Sequence, residues 1–372
     1  MFSDILAQYD FDTMTMAINA VSTDQVVAAL AKESLSVADL PVLFSEAAGD
    51  FLEPMAQRAA KLTKERFGNT MQIYAPLYLS NECGNSCLYC GFSAKNKAIV
   101  RRTLSMAEAE AELQAIAAMG IRHMLLLTGE APAKASLDYI AEAVRLSREY
   151  ADFTAIEIFP LDVAGYKQLV EAGADGLTLY QETYNAERYD SIHPSGKKKD
   201  MKWRLDAPDR GAQAGMRSLG VGPLLGLSDP RTDAFFAALH AHYLMTTYWR
   251  CAVSISLPRM RAAEGCAVIP QDVPDKLFVQ FMTAIRLALP DVGFVVSTRE
   301  APIFRDNIVG LGVTQMSAAS ATEPGGYTAK NVSTAQFQVE DSRSVAAFSD
   351  MLMSKGYEPV MKDWDAGLKV GN

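Results

Sequence analysis

The sequence predicts an α/β fold, a (β/α)8 TIM-type barrel, on three observations. Eight short β-rich runs follow one another between residues 71 and 320, most of them separated by helical stretches. The runs are apolar on both faces, as parallel strands covered by helices should be. Polar groups gather at their C-terminal ends, where such barrels place their chemistry.

The elements follow in chain order. Residues 1–70 read as an N-terminal helical segment: SVADLPVLFSEAAGDFLEPMAQRAAKLTKERFG has apolar residues at three-and-four spacing and stops at Gly68. MQIYAPLYLSN, 71–81, is the first strand. SMAEAEAELQAIAAMG is a helix opened by a capping box, Ser105 to Glu108, and closed at Gly120. HMLLLTG, FTAIEIFP and GLTLYQ are the next three strands, with helices SLDYIAEAVRLSREY and DVAGYKQLVEAG between them. A long polar segment leads to a helix near MKWRLDAPDRGAQAG. LGVGPLLGL, CAVSISLP, VGFVVSTRE and GVTQMSAAS complete the set, with helices at about 231–249 and 275–289 and a short one after the seventh strand. Residues 71–320 are thus the barrel. Residues 321–372, with EPGGY and a helical VAAFSDMLMSKG, are an extension packed on it.

Composition narrows the function. The formal net charge of −9 argues against a nucleic-acid or anionic-membrane partner, both of which need a basic patch. The one dense basic run, Lys197 to Lys199, reads as a solvated loop. No run of 18 apolar residues exists, and MFSDILAQYDFD is not a secretory leader. Five cysteines, three of them clustered, fit a reducing cytoplasm better than a disulfide framework. Gly220-Val221-Gly222 reads as close backbone approach rather than a dinucleotide fingerprint.

The clustered cysteines are Cys83, Cys87 and Cys90, spaced C-x3-C-x2-C. Three readings compete. They could be small buried residues, although three within eight positions of a loop argues against that. They could hold zinc, but a structural site wants four protein ligands, and the histidines at 123, 193, 240 and 242 are remote in sequence. They could hold a [4Fe–4S] cluster, which usually takes four thiolates; three leave one iron open to a small molecule. Cys251 and Cys266 read as structural or incidental.

The third reading is also the one that a resemblance supplies. The C-x3-C-x2-C spacing, with aromatic Tyr89 before the last cysteine, is similar to the motif of the radical S-adenosylmethionine (SAM) enzymes. RFGNTMQIYAPLYLSN, CGF, TGE, LYQETY, WRLDAPDR, LGLSD, STRE and EPGGY extend the likeness over nearly the whole chain. They resemble the aromatic amino-acid lyases of that superfamily, above all the 2-iminoacetate synthase family of thiamine biosynthesis. A tyrosine-cleaving [FeFe]-hydrogenase maturase is a close relative, and SIHPSG is as near to it. That maturase carries a further cluster on C-terminal cysteines, whereas no cysteine follows Cys266 here and KDWD near the terminus resembles the thiamine enzymes. The resemblance implies a radical cleavage of the Cα–Cβ bond of L-tyrosine to 2-iminoacetate and p-cresol. It also implies a [4Fe–4S] cluster and SAM as cofactors, a reductant such as flavodoxin or ferredoxin, and thiazole synthase as protein partner. A related scaffold serves tryptophan, and a zinc-stabilised, non-enzymatic barrel stays as an alternative from another class.

Site residues carry over one at a time. Cys83, Cys87 and Cys90 are the expected cluster ligands. Tyr89 is expected at the adenine or over the cluster, or else as a packed aromatic. Thr128, Gly129 and Glu130 correspond to the segment that holds the SAM amino group; a βα turn would explain Gly129 but not the carboxylate. Glu157 alternates against Ile156 and Ile158, so it points into the barrel, toward the SAM ribose, the substrate amine or an internal salt bridge. Gln181 and Glu182 could face SAM or the tyrosine amine. Arg204 is a candidate for the SAM carboxylate, or an exposed helical arginine. Ser256 and Arg299 end strands six and seven; Arg299 suits the tyrosine carboxylate, or an ion pair with Glu300 or Glu182.

Overall fold

Eight parallel strands close on themselves in this computed structural model, which describes residues 1–261, 263, 265–329 and 333–362. They are β1 (Thr70–Ser80), β2 (His123–Thr128), β3 (Phe153–Glu157), β4 (Gly176–Thr178), β5 (Ser218–Val221), β6 (Ala252–Ser256), β7 (Gly293–Val296) and β8 (Gln315–Ser317). Each pairs with the next, and β1 pairs with both β2 and β8, which closes a (β/α)8 barrel. The helices cover it and bury a continuous apolar core around the strands.

The N-terminal segment is helical up to Phe67, and Gly68 then turns the chain into β1 with φ of 67°. The helix Met106–Ala118 carries the expected reciprocal cap: Glu108 N–H donates to Ser105 Oγ, and Ser105 N–H donates to the Glu108 carboxylate. One expected helix is divided. Met201–Leu205 and Ala207–Gln213 are separate, because Pro208 lacks an N–H and starts the second instead of continuing the first.

The C-terminal segment does two things. A short strand, β9 (Glu358–Val360), pairs parallel with Thr70–Gln72, and Arg122 N–H donates to the Met361 carbonyl at 2.8 Å, so it lies below the start of β2. Asp341 receives Arg305 and Arg343, and Arg343 also grips Asp306, which ties the segment to the helix Pro302–Ile308. Of the KDWD motif, residues 363–365 lie outside the described residues.

The top of β1 places the site. Its register against β2 slips by one residue between Tyr78 and Ser80, a bulge just before the cysteine loop. Asn81 then staples the loop's ends: its amide donates to the Val100 carbonyl at 2.9 Å and accepts from Arg102 N–H at 2.6 Å. Arg101 donates to the carbonyls of Asn81, Phe92, Ser93 and Asn96.

Candidate active site

All three clustered cysteines open onto one cavity of about 110 Å³ at the C-terminal mouth of the barrel. They are free thiols, and Cys87 is buried. Among the described residues no three His, Cys, Asp or Glu side chains are arranged to hold a single metal ion. Burial pushes the Cys87 thiol up to about 12 and raises that of Cys90; the Lys198 charge opposes this at both.

The TGE segment is pressed against this loop. Gly84 N–H donates to the Glu130 carbonyl at 2.8 Å, and Gly129 N–H to the Ser80 carbonyl at 3.0 Å. A Cβ at position 129 would lie 2.3 Å from the Glu82 carbonyl oxygen, so only glycine fits. Thr128 and Glu130 line the cavity; Thr128 Oγ1 is buried without a partner among the described residues, and the Glu130 carboxylate accepts from Asn85 Nδ2 at 2.7 Å.

A second cavity of about 140 Å³ adjoins the first across a wall of Tyr78, Cys90, Leu127, Glu157, Glu182, Lys198 and Gln336. Arg299 lines it and stacks on Phe337 at 3.6 Å. Its guanidinium has no carboxylate partner among the described residues, because Glu300 is taken by Arg259 and Arg261 and Glu182 by other cations. Ser256 and Tyr180 both line this cavity. Tyr74, Leu125, Tyr180 and Ser256 form the floor, for they also line a larger cavity of about 890 Å³ in the lower barrel.

Glu157 faces both small cavities. Burial, and then the nearby Glu182 charge, pushes its carboxyl up to about 7. Glu182 behaves oppositely. Burial alone would raise it, but Lys198 and Arg204 outweigh that and hold it below the ordinary range. Lys198 Nζ lies 2.5 Å and Arg204 Nη2 3.4 Å from the same carboxylate oxygen. Glu182 also has φ of 75°, a conformation that non-glycine residues seldom adopt.

Two placements correct the sequence reading, and two add to what it left open. Lys198 is no solvated loop residue: Lys197 and Lys199 are exposed, but Lys198 turns inward and lines both cavities. Gln181 lines neither, because period-two alternation sends Tyr180 and Glu182 inward and Gln181 outward. Arg204 is buried rather than exposed, with Nε donating to the Tyr180 carbonyl at 2.8 Å. Cys266, read as structural or incidental, packs against the apolar cluster that contains Cys87 and Tyr89, and Ala267 N–H donates to the Leu88 carbonyl.

Tyr89 contacts a residue that sequence reasoning passed over. His193 Nδ1 lies 2.7 Å from the Tyr189 carbonyl, which can only accept, so the proton is on Nδ1 and Nε2 accepts from the Tyr89 hydroxyl at 2.8 Å. Burial, with Lys198 next, lowers His193 to about 3 and keeps it neutral. Gln336, from the C-terminal segment, was also missed. It accepts from Tyr78 at 2.7 Å and brings Nε2 to 4.0 Å from Cys90 Sγ.

Comparison with known proteins places this geometry. Residues 77–234 match the Radical SAM superfamily, and residues 256–358 match the Biotin and Thiamin Synthesis associated domain. The 2-iminoacetate synthases of Salmonella typhimurium and Escherichia coli are each 42% identical over 369 residues, 99% of this chain and 97% of theirs. The chain belongs to the 2-iminoacetate synthase family. The radical SAM superfamily that contains it uses a [4Fe–4S] cluster and SAM. The maturase HydG of Carboxydothermus hydrogenoformans has the same fold, with a TM-score of 0.87, 34% identity, and coverage of 96% of this chain and 85% of that one. As a 2-iminoacetate synthase family member the chain is an enzyme, a lyase. Among its described residues no helix is long and apolar enough to cross a membrane.

Proposed function

We propose that this chain is a radical SAM tyrosine lyase, which cleaves the Cα–Cβ bond of L-tyrosine to 2-iminoacetate and p-cresol for the thiazole of thiamine. The observation that carries the reading is the adjacency of two cavities. Three thiols open into one, and a guanidinium without a carboxylate partner among the described residues lines the other.

The donor set suits the cofactors. Cys83, Cys87 and Cys90 would hold a cluster through three irons and leave the fourth for SAM. Bound together, cluster and cofactor supply a 5′-deoxyadenosyl radical that takes a hydrogen atom from substrate. The protein binds, orients and excludes water. Glu130, steadied by Asn85, offers a carboxylate oxygen to the SAM amino group. Arg299 offers a two-pronged donor to the tyrosine carboxylate, its plane fixed by Phe337. Glu157 serves the tyrosine amine, since its carboxyl has no hydrogen-bond partner among the described residues and titrates near neutrality. Glu182, already holding two cations, is a fixed charge in the wall rather than a base. Ser256 and Tyr180 support the ring from below, and Tyr89 shields the cluster side.

Flavodoxin or ferredoxin would supply electrons, and thiazole synthase would receive the 2-iminoacetate. The test is an anaerobic single turnover with reconstituted protein, dithionite, SAM and tyrosine. It should yield 5′-deoxyadenosine, p-cresol and glyoxylate, the hydrolysis product of 2-iminoacetate, in step. 5′-Deoxyadenosine without p-cresol would mean another substrate. Iron near about eight per chain, rather than about four, would favour a maturase-type enzyme with two clusters.

A further inference from the structure

The cysteine loop is clamped on two sides. The connection after β4 fastens its start: Ser86 N–H donates to the Ser195 carbonyl at 3.1 Å, and Asn85 Oδ1 accepts from Lys198 N–H at 3.0 Å. The C-terminal segment fastens its end. Thr334 N–H donates to the Val100 carbonyl at 3.2 Å, and Val100 N–H to Thr334 Oγ1 at 2.9 Å. Asn81 Nδ2 donates to the Thr334 carbonyl at 3.3 Å. Two residues on, Gln336 N–H donates to the Thr322 carbonyl at 2.9 Å. A Cβ at Gly91, the residue after Cys90, would lie 3.0 Å from the Gln336 carbonyl oxygen. The backbone of Gln336 is therefore set against the last cysteine.

Its side chain is aimed there too. The Tyr78 hydroxyl donates to Gln336 Oε1 at 2.7 Å, which leaves the NH2 end of the amide toward Cys90, with Nε2 4.0 Å from Sγ. Nε2 has no other partner among the described residues. The reverse orientation would set an acceptor oxygen against the sulfur. A neutral thiol is a weak acceptor, whereas a metal-bound thiolate carries charge and draws a donor more strongly. Cys83 is served differently: Asn85 Nδ2, 3.8 Å from its Sγ, is drawn to the Glu130 carboxylate at 2.7 Å.

We propose that Gln336, held by Tyr78, donates an N–H···S bond to the Cys90 thiolate of the loaded cluster and so raises the reduction potential of that cluster. One-electron reduction adds negative charge to a cluster and its sulfurs, so a donor stabilises the reduced form more than the oxidised one. The electron comes from the external reductant, and Gln336 neither gains nor loses a proton. The inference rests on the reading of Cys83, Cys87 and Cys90 as cluster ligands and adds to it a residue of the C-terminal segment.

Redox titration of the reconstituted cluster tests it, followed by electron paramagnetic resonance at one pH without SAM or substrate. The wild type is compared with Gln336→Met, Tyr78→Phe and the double variant. Methionine keeps the length of the side chain and removes the amide. Its reduction equilibrium should fall about 3- to 10-fold, which is about 30–60 mV for one electron. Tyr78→Phe frees the amide and should move the potential the same way by less. The double variant should match Gln336→Met, because Tyr78 acts through the amide. Glu130, Glu157, Glu182, Lys198 and Arg204, which line the same cavity, are kept in every variant. An unchanged or raised potential in Gln336→Met, or additive shifts in the double variant, overturns the assignment. If Gln336→Met fails to take up iron, Tyr78→Phe alone decides, and an unchanged potential there overturns it. Retention of the cluster by Cys90→Ala overturns the ligand reading itself, and the role of Gln336 with it.

Discussion

Gly129 and Arg299 carry single-residue demands that the surroundings cannot relax. A methyl group at position 129 would meet the Glu82 carbonyl and, at 3.1 Å, Cys83 Cβ. Gly129→Ala should therefore push the cysteine loop off β2: iron bound after reconstitution should fall by half or more, while far-ultraviolet circular dichroism stays unchanged. Arg299→Met should lower kcat/KM for tyrosine about 10- to 100-fold, the range for a lost charge-assisted contact, with iron content and SAM binding kept. At this scale the sequence was readable where chemistry is local. Three cysteines at fixed spacing announce themselves, and alternation alone aims Glu157 inward. The same alternation excludes Gln181, had it been applied beyond the end of β4. Lys198 was hidden because three adjacent lysines look alike, and only the contacts of Asn85 and Glu182 single out the middle one.

The β4 connection, Leu179 to Asp200, is the element that builds the wall, and a neighbouring helix holds its base. Asp233, in the helix Pro230–Thr247, accepts from Tyr184 N–H at 2.8 Å and Thr183 Oγ1 at 3.0 Å, while its Oδ2 has no partner among the described residues. Burial pushes its carboxyl from 3.8 up to about 8. The folded chain thus holds a proton that the unfolded chain has released, so this residue's contribution falls as pH rises from about 4 to about 8 and is flat above. Asp233→Asn keeps both acceptor bonds without the charge. Its stability advantage over the wild type should widen across that window, reaching on the order of a few kcal/mol by pH 9, as followed by thermal unfolding from pH 5 to 9. A variant that loses to the wild type at pH 9 would refute this. The strands were legible as elements because both faces are apolar. The connection was not, since its structure is made by partners far away in sequence rather than by its own periodicity.

At the scale of the whole molecule, the C-terminal segment belongs to the site as well as to the shell. It supplies Gln336 and Phe337 to the substrate cavity and is anchored through Asp341, which is buried with Arg305. Asp341→Ala strands that guanidinium in the core and should cost about 3–5 kcal/mol, measured by denaturant unfolding of the cluster-free protein. The barrel could be read from the order of its runs; that its far end returns to cover the mouth could not, for no pattern in 321–372 names its partner. The clamp on the cysteine loop has a consequence in time. Cys90 emerges from the ribosome 198 − 90 = 108 residues ahead of the lysine that fastens its loop. At roughly 5–20 residues per second, the nascent chain carries three unguarded thiols for about 5–20 s before their fold exists. Throughout that interval Asn85 lacks the Lys198 N–H that holds it in the folded chain.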